Sequence, residues 1–143
     1  MKYFLLFLAF FCTCSFAAQV LDNNCKSPIS STGIAMMDEM REKMHINLES
    51  IDTESTKTEL LFNEPVSEVL SQYYAERTYE ADSSLSVNKY KEIYSKANPV
   101  NLIIKFYFKN KEEKEDIFLV STIANDYECN VEFNGYVIVK REF

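Results

Sequence analysis

The chain of 143 residues has two glycines, three prolines, one histidine and no tryptophan. With only Gly33 and Gly135 it can build neither a glycine-rich phosphate loop nor a nucleophile elbow, both of which need clustered glycines. One histidine, His45, rules out a zinc site made of His ligands. No serine lies in a recognisable nucleophile context. Basic residues are also in the minority, and the formal charge is −7. DNA, RNA and anionic lipid all require basic surface, so they are disfavoured as partners. A basic partner would be steered towards such a chain. The sequence points to no cofactor and no metal.

What is present begins with the N-terminus. Lys2 is followed by an uncharged apolar run, Tyr3 to Phe11, and by small residues at Ser15 and Ala17. A charged start, an apolar core and a small-residue exit make a secretory signal. Cleavage is expected after Ala17, with Ala18 as the close alternative. The run is short for a bilayer span, which takes about 20 apolar residues. A lipid-accepting cysteine is not indicated, because Phe11 precedes Cys12 and Thr13 precedes Cys14. The expected organisation is a signal over residues 1–17 and one domain over 18–143, periplasmic or secreted, with no membrane insertion of the mature chain. Loss of Lys2 takes the formal charge to −8.

Two of the four cysteines leave with the signal, and Cys25 and Cys129 remain. In an oxidising compartment such a pair is expected to form a disulfide. It would join the start of the mature chain to its last strands.

Periodicity orders the rest. Met37, Met40, Met44, Leu48 and Ile51 recur at helical steps, predicting a helix from about Ser31 to Leu48, although its end also alternates like a strand. Asp52 to Lys57 reads as a turn, and Thr58 to Phe62 as a short apolar run of open type. Pro65 is placed to open a second helix carrying Val66, Val69, Leu70, Tyr73, Tyr74 and Arg77. Ser86 caps a third, which Asn98-Pro99 ends. Val100 to Phe108 alternates as a strand, and Ile117 to Ala124 is a second. Asn134-Gly135 predicts a hairpin between Cys129–Phe133 and Tyr136–Lys140, with Phe133 opposite Tyr136. The expected fold is α+β, about three N-terminal helices packed on a C-terminal antiparallel meander of three to four strands.

Candidate chemistry is sparse. Glu42, His45 and Glu49 fall on adjacent helical turns, a spacing common on solvated faces. No pair of carboxylates is singled out for a hydrolase, although that reaction class stays open. Glu112, Glu113, Glu115 and Asp116 cluster between strands, interleaved with Lys111 and Lys114. They form either a solvated tip that blocks edge pairing or an acidic finger for a basic cleft. Tyrosine is abundant, and tyrosine is enriched at protein interfaces. Tyr107, on the polar side of its strand, and Tyr127, in a turn, are the surface candidates. The expected partner-binding set is therefore Tyr107, Glu112, Glu113, Glu115, Asp116 and Tyr127.

The signal, the Cys25/Cys129 pair and the acidic α+β body together resemble small periplasmic immunity proteins, which block a toxin's cleft by direct binding. That resemblance implies an immunity protein or inhibitor acting on a basic toxin or hydrolase. None of the eleven asparagines lies in a glycosylation sequon, which favours a bacterial source. The element order is also similar to the nuclear-transport-factor-2-like fold, which implies a small-ligand-binding or scaffold domain instead.

Overall fold

The computed structural model describes residues 24–143. The predicted signal, residues 1–17, lies outside them. Among the described residues, three helices of more than one turn and a four-stranded antiparallel sheet make the fold α+β. Helix α1 spans Ser31–Met44 and a 3-10 turn follows at Leu48–Ser50. Strand β1 is Ile51–Pro65, helix α2 Glu68–Ala81 and helix α3 Val87–Ser95. Strands β2 Val100–Asn110, β3 Glu115–Ala124 and β4 Glu132–Lys140 complete the chain. The strands lie in the order β1-β2-β3-β4.

The helices do not all come first. Residues expected to form a turn and a short run belong to β1, a long edge strand paired with β2. The turn-like character of its start is nevertheless real. The Asp52 carboxylate accepts the N–H groups of Glu54 and Ser55 and the Ser55 hydroxyl, and the register slips between Asp52 and Lys57. Pro65 closes this strand instead of opening α2, which starts where the Ser67 hydroxyl accepts the N–H of Leu70. Helix α1 stops at Met44, because His45 takes a left-handed φ of 58°.

The Asn134-Gly135 hairpin is not formed. β4 runs through both residues and, among the described residues, pairs with β3 alone. Ser121 faces Gly135 and Thr122 faces Phe133, so Asn134 is the extra residue of a β-bulge. Gly135 has a φ of 114°, and the bulge uses the same positive φ that a tight turn would have needed. The long ladder to β3 wins over a short hairpin. Cys129, which precedes β4, is also bridged to Cys25 ahead of α1 and held to α1 itself by the Thr32 hydroxyl, which donates to its carbonyl.

Helix α1 covers the inner sheet face. Met36 and Met40 pack with Leu102, Ile104, Phe106, Phe108, Phe118 and Val120, all fully buried. The Phe106 and Phe108 rings stack at 5.3 Å, and Phe118 meets Phe108 edge-on at 6.1 Å. Cys25 and Cys129 are bridged across this layer, with Cα atoms 5.1 Å apart, closing a separation of 104 residues. Gly33 lets α1 approach the Pro28 carbonyl, since a Cβ there would lie 2.2 Å from its oxygen.

Helices α2 and α3 pack against each other and on one end of the opposite face. Tyr74, Ala75, Tyr90 and Tyr94 close over Ile123 and Val131. The rest of that face, including Ile103, Leu119 and Val137, stays half-buried or exposed. Among the described residues no helix is long and apolar enough to cross a membrane. The disulfide fits an oxidising compartment.

Candidate protein-binding surfaces

The six residues singled out from sequence do not form one patch. The turn between β2 and β3 is fixed by Asn110, whose side-chain oxygen accepts the N–H groups of Glu112 and Lys114. Each acid near it has a cation. Glu112 lies 2.7 Å from Lys114, Glu113 3.4 Å from Lys109, and Glu115 3.5 Å from Lys140. Lys114 holds the Glu112 carboxyl below its ordinary pKa. An acidic finger neutralised in this way projects little field.

Asp116 must be removed from the candidate surface, because it is fully buried. Its Oδ1 accepts the N–H groups of Glu142 at 2.6 Å and Phe143 at 3.1 Å, and its Oδ2 lies 2.7 Å from Arg141 Nε. It fastens the C-terminus to the sheet. Tyr107 stands near the tip on the outer face. Its hydroxyl donates to Glu59 at 3.0 Å, and Lys105 sits 4.7 Å from its ring centre. Tyr127 is 82% exposed but follows β3, whose ten residues place it roughly 30 Å from the tip. His45 is exposed, and no cluster of three or more metal-ligating side chains occurs among the described residues.

A different surface is better built for contact. The inward side of α2–α3 is closed by a polar network around Glu132 on β4. Glu132 takes the Arg77 guanidinium on one oxygen and the Tyr94 hydroxyl, at 3.0 Å, on the other. Tyr94 also shares a hydrogen bond of 2.8 Å with Thr78, and Arg77 lies 4.8 Å above the Tyr74 ring. Burial raises the pKa of both Tyr74 and Tyr94. Beyond α2, Tyr90 donates to Asp82 at 3.0 Å. Bonds from the Ser84 N–H, the Ser84 hydroxyl and Tyr90 hold that carboxyl low.

This network orients α2 and turns its other side to solvent. Val69 is 79% exposed, and Tyr73 and Tyr79 are about half exposed. They fall at steps of four and six residues, with Glu68, Glu76 and Glu80 between and beside them. An open cleft of about 410 Å³ runs between the helices, lined by Glu68, Val69, Gln72, Tyr73, Glu76 and Lys91. The sequence reading set Val69 and Tyr73 at helical spacing on this helix and named neither among its surface candidates. The width of the apolar set was the available signal: Val66, Val69, Leu70, Tyr73 and Tyr74 exceed one helix stripe, so some had to face outward.

No family model, curated protein or solved structure matches this chain.

Proposed function

We propose that this chain is an exported protein-binding protein, periplasmic or secreted, that inhibits a basic toxin or hydrolase by occupying it. The observation that carries the reading is the outward side of α2. A half-exposed tyrosine pair and an exposed valine alternate there with three glutamates, beside an open cleft. Exposed Tyr is characteristic of interface cores, and it contributes large contact area with little entropy to lose. The acidic flank would speed encounter with a basic partner. The alternative pocket-enclosing reading has less support. The space beneath α1 is filled by Met36, Met40 and three phenylalanines, each with no exposed area.

The test uses oxidised protein against a panel of cell-wall- and lipid-degrading enzymes, together with partners captured from the source organism. Stoichiometric inhibition of one basic enzyme is expected, weakened by salt and abolished by Val69→Ala with Tyr73→Ala. If an enzyme were inhibited equally well by that double variant, α2 would not be the contact surface. If none were inhibited and no partner captured, the inhibitor reading would fall.

A further inference from the structure

The lining of the cleft between α2 and α3 selects for one kind of side chain. Glu68 of α2 and Lys91 of α3 pair at 3.0 Å and join the two helices. That pair neutralises itself, so the lining keeps the single negative charge of Glu76. The Gln72 amide donates to one Glu76 oxygen at 2.7 Å and fixes the carboxylate without cancelling its charge. All three cations of α2 and α3 are engaged elsewhere: Arg77 by Glu132, Lys89 by Glu92 and Lys91 by Glu68. Tyr73 lies three residues before Glu76, so the two share a helix face. Its ring is held by Tyr74, edge-on at 5.3 Å, and by Arg77, 6.0 Å from its centre. The cleft therefore offers a fixed aromatic ring beside a fixed, uncompensated carboxylate.

We propose that this cleft receives an arginine side chain of the partner protein, with its stem along Val69 and Tyr73 and its guanidinium on Glu76. The inference rests on the reading of α2 as the contact surface and names the group that surface recognises. An anion would meet the negative lining. A purely apolar group would cover Glu76 without giving it a partner, which is costly. A cation on an apolar stem satisfies both walls. Arginine fits better than lysine, because its guanidinium is planar, stacks on aromatic rings, is weakly hydrated and meets a carboxylate with two parallel bonds. A carboxylate has about four acceptor sites, so the Gln72 bond leaves room for that fork. Arg77 does not repel the incoming group, since Glu132 neutralises it.

Amide chemical shifts of the oxidised, isotope-labelled protein, titrated with three blocked tripeptides, test the inference. The peptides are Gly-Arg-Gly, Gly-Lys-Gly and Gly-citrulline-Gly, the last keeping the shape of arginine without its charge. Saturable shifts at Gln72, Tyr73, Glu76 and Lys91 are expected with the arginine peptide, with a dissociation constant on the order of millimolar for one anchored side chain. The lysine and citrulline peptides should each bind about tenfold more weakly. Glu76→Gln should remove the preference for arginine over citrulline, and Tyr73→Leu should narrow that for arginine over lysine. Both sites are exposed, so neither change should move the thermal melt. Glu80→Gln, outside the cleft lining, should leave binding unchanged. No response to the arginine peptide, equal response to citrulline, or shifts centred away from α2 and α3 would each overturn the proposal. The two readings fail separately. Enzyme inhibition through Val69 and Tyr73 without arginine selectivity would sink this inference alone, and arginine binding with no enzyme inhibited would sink only the inhibitor reading.

Discussion

The two helical layers on this sheet are made from different materials. Under α1 the contacts are methionine, phenylalanine and aliphatic side chains with no exposed area, and a disulfide ties the layer's ends. Under α2 and α3 the contacts are tyrosines whose hydroxyls need partners, and Glu132 and Arg77 supply a polar network between helix and strand. A dry layer of the first kind gives stability through burial and close packing. The second kind depends on satisfied hydrogen bonds, and one side of its helix stays open to solvent. The comparison teaches that a dry, disulfide-tied layer and a polar layer with one helix side open to solvent sit on opposite faces of one sheet.

Substitutions should separate the two layers. Reducing the disulfide should have the largest effect: for a loop near 100 residues the chain-entropy model allows up to about 4.7 kcal/mol, read as a fall in denaturant midpoint. Phe118→Ala, in the same layer, is expected to cost about 3–5 kcal/mol in equilibrium unfolding. Gly33→Ala should cost roughly 1–3 kcal/mol, since its Cβ meets the Pro28 backbone and not a yielding side chain. In the second layer, Glu132→Ala strands the Tyr94 hydroxyl and the Arg77 guanidinium. About 1–3 kcal/mol is expected, with α2 and α3 amides gaining hydrogen exchange before those of α1. If the amides of both layers exchanged together, the layers would not be energetically distinct.

Alkaline pH sharpens the same contrast. Burial raises the pKa of Tyr74 and Tyr94 in the folded protein. The folded state therefore holds its phenolic protons more tightly than the unfolded chain does. Their contribution is fully present below the unfolded tyrosine value of about 10 and is lost as the pH rises through the folded values. Tyrosinate absorbance should appear as α2 and α3 loosen. The smallest stability effect is expected from Val69→Ala with Tyr73→Ala, since both side chains face solvent, within about 0.5 kcal/mol per site by thermal melt.

Sequence patterns located what periodicity alone decides. The alternation in β2, the apolar run of β3 and the Ser86 cap of α3 all match the fold. Patterns failed where tertiary contacts choose between local options. Asn134-Gly135 supplies a positive φ to either a hairpin or a bulge, and only the ladder to β3 and the bridge to Cys25 decide for the bulge. The Asp52–Lys57 segment bonds to itself like a turn and still belongs to β1. Of the expected surface set, Asp116 was misplaced because charge suggests exposure. Its burial follows from the C-terminal amides and Arg141, which lie 26 or so residues away in sequence. The stripe on α2 was hidden because tyrosines serve both layers of that helix and composition does not tell them apart.

The most direct test of the account is the association kinetics of the oxidised protein with its inhibited enzyme. Wild type should be compared with Glu68→Lys, Glu76→Lys and Glu80→Lys combined, each pair measured at low and high salt. The account predicts a fall in on-rate of at least tenfold at low salt, a smaller fall at high salt, and an unchanged melting temperature. An unchanged on-rate at low salt would contradict it and return the search to other surfaces of the sheet.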